Sequence, residues 1–439
     1  MARKCILILL DGAGDRSYRR LGHQTPLQAA ATPALDRLAA LGCSGLYHPA
    51  ALGQALPSEN AHFAMFGYAS EDFPGRGALE ALGAGIPLDN QTVAILAHLA
   101  SLTPDGDRLL LADGKPPFTN AEADQLFGQI TPWEEAEVRI DFTPTEGLRG
   151  ILTLRGDVSS RVTDTDPVTH DRPVMAPRPW QAAFHDPAAA RSARALGAYL
   201  GYLYRRLAAL PLNRLRAAAG SPPINGMLTQ RAGRLKNAPP FREQNGLRGL
   251  LIASGIVYQG LAAYIGLDCR PVVDSADPGA DLAARLRSAQ QALGRYDFVH
   301  VHTKAPDEAA HTKDPLAKKR VLESLDRGLG QAIAPLLADP EVLIIATADH
   351  ATPSSGPLIH SGESVPLTFC GPGVRRDRVQ AFDEINAAGG ALGPVRGREL
   401  MFLILNHLDR AKLQGLMDSP VDQPYWPALS EPFRLDPGP

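Results

Sequence analysis

Three short runs rich in Ile, Val and Leu punctuate the chain at Cys5–Leu10, Phe298–His302 and Val342–Thr347. Such runs suit strands of a central parallel sheet covered on both faces. Between and around them the apolar residues recur at helical spacing. This predicts helices over Pro33–Leu41, Ala188–Leu210, Leu247–Ile265, Ala280–Leu293 and Leu316–Leu337. Strands alternating with helices predict an α/β fold.

One region follows a different pattern. From about Gln91 to Pro179 the chain reads as short strands, Val93–Leu99, Arg108–Ala112, Glu137–Phe142 and Gly150–Arg155, separated by turn signals such as Pro-Asp-Gly-Asp. The expected organisation is a core in two parts, residues 1–90 and 181–439, with a smaller α/β domain inserted at 91–180. The terminal SPVDQPYWPALSEPFRLDPGP is too rich in proline for regular structure, and no internal repeat is present.

Composition narrows the function classes. The 439 residues are 44% hydrophobic, enough for one large or two ordinary cores, and the formal net charge is -3 without long charged blocks. Neither nucleic acid nor an anionic membrane is therefore expected as a partner. The cysteines, Cys5, Cys43, Cys269 and Cys370, are scattered without CxxC spacing, as in a reducing compartment. The N-terminal MARKCILILLDG has too short an apolar run for a signal peptide, and no stretch reaches the roughly 20 apolar residues of a membrane span. A cytoplasmic protein is expected, of open oligomeric state.

The candidate chemistry lies where apolar runs end. ILILLDGAGD leaves Asp11 at a strand's carboxyl end, YDFVHVHTKAPDEAAH places Asp307 and His311 on one helical face, VLIIATADH ends in Asp349 and His350, and the loop PLIHSGESVP carries His360. In open parallel sheets ligands sit at the carboxyl ends of the strands, so these groups are expected to converge. Carboxylates with neutral imidazoles suit Zn or Mn, with Mg also admitted, and the set is large enough for two ions. Each piece also has an ordinary explanation: Asp-Gly as a turn, Asp-x-x-x-His as a solvated helix face, His360 as a partner for a backbone carbonyl. Ser58, in ALPSENAHFAMFGY, is open in the same way. It could cap the helix that follows, or, beside metal ions, serve as a nucleophile at a helix N-terminus suited to phosphate.

LDGAGD, TPLQAAATPALDRLAALG, PSENAHFAMFGY, GRGALEALGAG, VTDTDP, HTKAPDEAAH, ADHATP, HSGESVP, GPGVRR and RGRELM occur in an order that resembles the archaeal-type cofactor-independent phosphoglycerate mutases of the alkaline phosphatase superfamily. The resemblance implies an alkaline-phosphatase-like, mainly parallel sheet flanked by helices, with the insert acting as a substrate-binding lid. It implies two divalent ions, one held by Asp307, His311 and His360, the other by Asp11, Ser58, Asp349 and His350. Ser58 would form a phosphoserine and return the phosphoryl to the neighbouring hydroxyl, interconverting 2- and 3-phosphoglycerate.

Several positions depart from the family pattern. Glu59 and Asn60 stand where Asp and Thr are usual, Leu96 and His98 where Arg and Asn are usual, and Val168 where His is usual, with His170 two residues on. Arg76, Asp164, Asp166, Arg172, Arg231, Arg234, Lys236 and Lys304 are the expected binders of a small phosphorylated metabolite. The departures leave one alternative, a phosphatase or homoserine-kinase-like phosphotransferase acting on another small phosphoester; a third reading, a catalytically silent, metal-stabilised binding protein, has the retention of every expected ligand and of Ser58 against it.

Overall fold

The computed structural model describes residues 2–135, 137–411 and 435, and divides into two compact units: 1–73 with 238–439, and 74–237. The proline-rich segment 419–439, expected to be irregular, lies outside the described residues apart from Leu435.

The first unit is built on an eight-stranded sheet in the order Asp268–Pro271, Gly249–Ala253, Phe298–Thr303, Lys4–Leu10, Val342–Thr347, Val365–Cys370, Cys43–His48, Gly393–Arg396. Every neighbouring pair is parallel except the two made by Val365–Cys370, so that strand alone runs against the rest. The three runs expected as strands lie side by side at the centre. Their side chains are buried on both faces, apart from half-buried Lys4. Flanking helices begin in a repeated way. Asp277 and Asp314 each cap a helix whose first residue is proline, Pro278–Ala292 and Pro315–Ala332. The aspartate accepts orphan N–H groups of the first turn, and proline has no N–H there to leave unpaired.

The helix expected over Leu247–Ile265 is instead two elements, the strand Gly249–Ala253 and the helix Ile256–Ile265. Gly255, at φ 94°, breaks the chain between them, and Leu250–Ile252 pair in parallel with Val299–Val301. Periodicity alone does not separate a short apolar run that is a buried strand from one that is a helical turn. Leu316–Leu337 is likewise divided, into Pro315–Ala332 and Ala334–Ala338.

The second unit carries a six-stranded antiparallel sheet in the order Arg108–Asp113, Val93–Asp105, Arg149–Arg155, Val138–Pro144, Trp133–Glu135, with Gly226–Arg234 also paired to Val93–Asp105. It is wider at both ends than the 91–180 expected. Helix Pro187–Ala208, read as core, turns Leu196, Tyr199, Leu203 and Leu207 into the same apolar cluster as Val93, Ile95 and Leu152. Helix Arg76–Gly83 joins from the other end, where Gly77 lets the helix approach the backbone of Ala94 and Arg231 closer than a side chain would allow.

Candidate metal centre

Asp11 follows strand Lys4–Leu10, and Asp349 and His350 follow strand Val342–Thr347, the adjacent parallel strand. Their side chains therefore leave one sheet edge together, and all three are buried. The turn after Asp11 needs its glycine. Gly12 has φ 64°, and a Cβ there would come 2.6 Å from Thr352 Oγ1 and 2.8 Å from Asp307. Asp307 and His311 lie on helix Ala305–His311, with Asp307 Oδ2 3.1 Å from His311 Nε2.

Ser58 is the first residue of helix Ser58–Met65; Pro57 occupies the cap position and Ser58 makes no capping bond with its side chain. Its hydroxyl lies 2.9 Å from His350 Nε2 and 3.4 Å from Asp11 Oδ1. The cap reading of Ser58 fails, and the hydroxyl belongs to the carboxylate–imidazole cluster.

Hydrogen bonding assigns the imidazole lone pairs. Thr352 Oγ1 donates to Asp307 Oδ1 at 2.7 Å, so it must accept from His350 Nδ1 at 3.0 Å, which leaves Nε2 of His350 without a proton. His360 Nδ1 donates to the carbonyl of Leu56 at 2.8 Å, which leaves its Nε2 free, 3.6 Å from Asp307 Oδ1. Asp349 Oδ1 accepts the N–H groups of Gly12 and His350, while its buried Oδ2 has no hydrogen-bond donor among the described residues and lies 3.2 Å from His350 Nε2. Two lone-pair-bearing atoms thus face each other in a buried space, and such an arrangement calls for a proton or a metal cation between them.

Among the described residues the donor atoms form two groups that share His350: Asp307, His350 and His360, and Asp11, Asp349 and His350, each within 4.8 Å. The expected division differed, placing His311 beside Asp307 and His360. His311 does meet Asp307, but it lies outside both tight groups.

Electrostatics points the same way. Burial pulls His350 down to about 3, so the ring is neutral and ligand-competent. Burial, with Asp11 close by, pushes Asp349 well above the usual carboxylate range, the mark of an anion lacking a counter-charge. Burial also works to raise Asp307, but the hydrogen bond from His311, the nearby His350 and the Thr352 hydroxyl outweigh it and hold that carboxyl low.

Further residues complete the cluster. Tyr258 and His302 both reach Asp11 Oδ2, and His62 Nδ1 donates to the carbonyl of Ser58 at 2.8 Å. Lys318 is fully buried and donates to the carbonyls of Gly14 and Thr352 and to Asp15 Oδ2, tying the turn after Asp11 to the one after His350. Two of these had a sequence signal: His62 stands one helical turn after Ser58, and His302 ends the apolar run before the Asp-x-x-x-His segment. Tyr258 and Lys318 had none, since each sits unmarked in a helix.

The expected substrate-binding residues separate. In the second unit Arg76, Asp166 and Arg231 line one cavity of about 840 Å³, together with His98, Lys115, Arg149, His170 and Gln230. Asp166 accepts from Val168 N and Gln230, and His98 Nε2 lies 3.7 Å from it. Asp164 accepts the N–H of Arg231 at 2.7 Å. Arg234 donates to the carbonyl of Val158, and neither it, Arg172, Lys236 nor Asp164 lines the cavity. Lys304, in the first unit, lies with its ammonium 5.8 Å from the centre of the Tyr258 ring.

The model of the metalloenzyme superfamily matches residues 3–407. The 2,3-bisphosphoglycerate-independent phosphoglycerate mutase 2 of Methanocaldococcus jannaschii is 39% identical over 420 residues, covering 94% of this chain and 95% of the relative. The 2,3-bisphosphoglycerate-independent phosphoglycerate mutase of Methanopyrus kandleri is 35% identical over 422 residues, covering 94% and 99%. Among solved structures, a protein from Pyrococcus horikoshii is similar with a TM-score of 0.76 at 28% identity, covering 94% of this chain and all of that one. The cofactor-independent phosphoglycerate mutase of Thermoplasma acidophilum is similar with a TM-score of 0.63 at 28% identity, covering 92% and 100%.

Proposed function

The chain belongs to the 2,3-bisphosphoglycerate-independent phosphoglycerate mutase family, within the metalloenzyme superfamily, and on that premise we propose that it interconverts 2- and 3-phosphoglycerate through a phosphoserine at Ser58. The observation that carries this reading is the position of the Ser58 hydroxyl: it leaves the helix uncapped and turns toward His350 and Asp11.

In this reading Asp11, Ser58, Asp349 and His350 would hold one divalent ion. Asp307 and His360 would hold the other, with His311 beside Asp307 and His350 close to both groups. Bound Mn or Zn would lower the pKa of the Ser58 hydroxyl and offset the negative charge of the phosphoryl group. Ser58 Oγ gives up its proton and attacks phosphorus, the bond to the glycerate oxygen breaks, and that oxygen takes up a proton as phosphoserine forms. The neighbouring glycerate hydroxyl then attacks the same phosphorus and frees Ser58. The N-terminus of helix Ser58–Met65 directs the positive end of its dipole toward the side where phosphoryl oxygens would bind. Arg76, Arg231 and Asp166 in the second unit are proposed to recognise the glycerate carboxylate and hydroxyl, and that unit to act as the lid that excludes water. A cytoplasmic setting belongs to the same reading and is supported by four cysteines without disulfides.

The test is incubation of the Mn-loaded protein with 3-phosphoglycerate, with coupled detection of 2-phosphoglycerate. Isomer formation that disappears in Ser58→Ala supports the proposal. Release of inorganic phosphate without isomer would replace it with a phosphatase, and no phosphoserine with any phosphoester would end both.

A further inference from the structure

The two carboxylate oxygens of Asp11 have different surroundings. Oδ2 accepts the Tyr258 hydroxyl at 3.0 Å and faces His302 Nε2 at 2.9 Å. Oδ1 faces Ser58 Oγ at 3.4 Å and His350 Nε2 at 3.6 Å, the direction of the other donor atoms. An ionised carboxylate brings no proton, so Nε2 of His302 is the donor in its pair. With two donors already on Oδ2, that oxygen has little capacity left for a cation.

Both donors come from elements other than the one carrying Asp11. Tyr258 lies on helix Ile256–Ile265, and His302 on strand Phe298–Thr303, paired in register with Leu9. Both are buried, and they brace each other, with ring centroids 4.2 Å apart. His62 packs 4.8 Å from Tyr258 and 5.0 Å from His302, while bonding to the backbone of Ser58. Neither Tyr258 nor His302 belongs to either donor group, yet rotation of the Asp11 carboxylate would break both of their bonds.

We propose that Tyr258 and His302 are positioning residues that hold Asp11 with only Oδ1 available, so that the ion shared by Asp11, Asp349 and His350 depends on two side chains that do not touch it. This rests on Asp11 being a ligand, as read above. Outer partners of this kind fix the orientation of a ligating carboxylate, and their loss lowers metal affinity about 10- to 100-fold.

The experiment is a chelator-buffered Mn(II) titration of the metal-free full chain, resolved into two binding steps, with thermal melting of the metal-free protein in parallel. Tyr258→Phe keeps the ring and is expected to weaken one step about 10-fold while the other stays within about two-fold. His302→Leu should weaken the same step by a similar factor or more. His302→Gln, which offers an amide N–H of similar reach, should recover most of the loss. The metal-free melting midpoint of Tyr258→Phe should match that of the unmodified chain. Unchanged affinities in both Tyr258→Phe and His302→Leu would overturn the proposal, as would equal losses at both steps accompanied by a lower metal-free midpoint. Asp11→Asn separates this from the parent reading. If it removes one step while Tyr258→Phe and His302→Leu do not, only the positioning role fails; if it leaves both steps intact, Asp11 is no ligand and the parent reading fails as well.

Discussion

The hydroxyl of Ser58 lies 2.9 Å from Nε2 of His350, across 292 residues of sequence, and takes no part in capping its own helix. Replacing it should therefore affect chemistry and stability very differently. Ser58→Ala is expected to lower turnover by at least about four orders of magnitude, as loss of a nucleophile does, and to change unfolding free energy by no more than about 0.5 kcal/mol. Thr119→Ala is the contrasting control. Its hydroxyl and Glu122 form a reciprocal cap on helix Asn120–Phe127, and its loss should cost about 1 kcal/mol in urea unfolding. A destabilisation by Ser58→Ala as large as that of Thr119→Ala would mean the hydroxyl has a structural role.

Asp349 is a buried carboxylate whose Oδ2 has no donor, and burial beside Asp11 pushes its pKa far up. Without metal that shift favours the neutral acid, so Asp349→Asn replaces one neutral group with another. The metal-free variant should match the EDTA-treated parent to within about 1 kcal/mol, while Mn or Zn should raise its melting temperature less than the parent's, since Asp307, His350 and His360 remain to hold an ion. The parent should lose phosphoryl transfer in EDTA without unfolding and recover it when metal returns. Differential scanning calorimetry with and without metal checks both halves.

Lys318 is fully buried, and its three contacts, Gly14 O, Thr352 O and Asp15 Oδ2, join the turn after Asp11 to the turn after His350. Lys318→Met leaves Asp15 buried without its counter-charge and should cost about 3–5 kcal/mol. The double variant with Asp15→Asn should regain part of that loss, giving a coupling energy in a double-mutant cycle. Additive losses would mean the pair is not the link.

Burial lifts the carboxyl of Glu384 from its ordinary 4.5 to about 7, while its oxygens accept from Asp15 N and Thr25 Oγ1. Between those two values the folded protein holds a proton that the unfolded chain has released. Its contribution is therefore fully present below about pH 4.5 and is lost as pH rises through about 7, a change of up to about 3 kcal/mol. Glu384→Gln keeps an acceptor for Asp15 N–H and should flatten this part of the profile. Urea unfolding of both proteins between pH 5 and pH 8 measures the difference; identical slopes would show that Glu384 is not the group responsible.

Much of the candidate centre was legible in the chain because its donor groups sit directly after apolar runs that announce themselves. Asp11 follows Cys5–Leu10, and Asp349 and His350 come just after Val342–Thr347, so the local pattern predicted both the strand and the group at its end. The Asp307–His311 spacing was equally local, since helical periodicity alone places the pair on one face. The same locality explains the error at Leu247–Ile265, where an apolar strand and an apolar helix adjoin and only pairing with Val299–Val301 tells them apart.

What depends on contacts between distant segments could not be read this way. The extent of the second unit follows from Gly226–Arg234 pairing with Val93–Ala100, a match between segments more than a hundred residues apart that no local window contains. The placing of His350 in both donor groups depends on Thr352 bridging to Asp307, which sets which imidazole nitrogen is free. Tyr258 and Lys318 look ordinary in sequence because their importance comes from what they touch, Asp11 in one case and two backbone turns in the other. Sequence by itself determined the donor types and the strand ends that carry them, because those follow from side-chain chemistry and short-range periodicity. Tertiary structure alone decided which donors meet and which oxygen or nitrogen each one offers, because those depend on packing and hydrogen bonds between segments far apart in the chain.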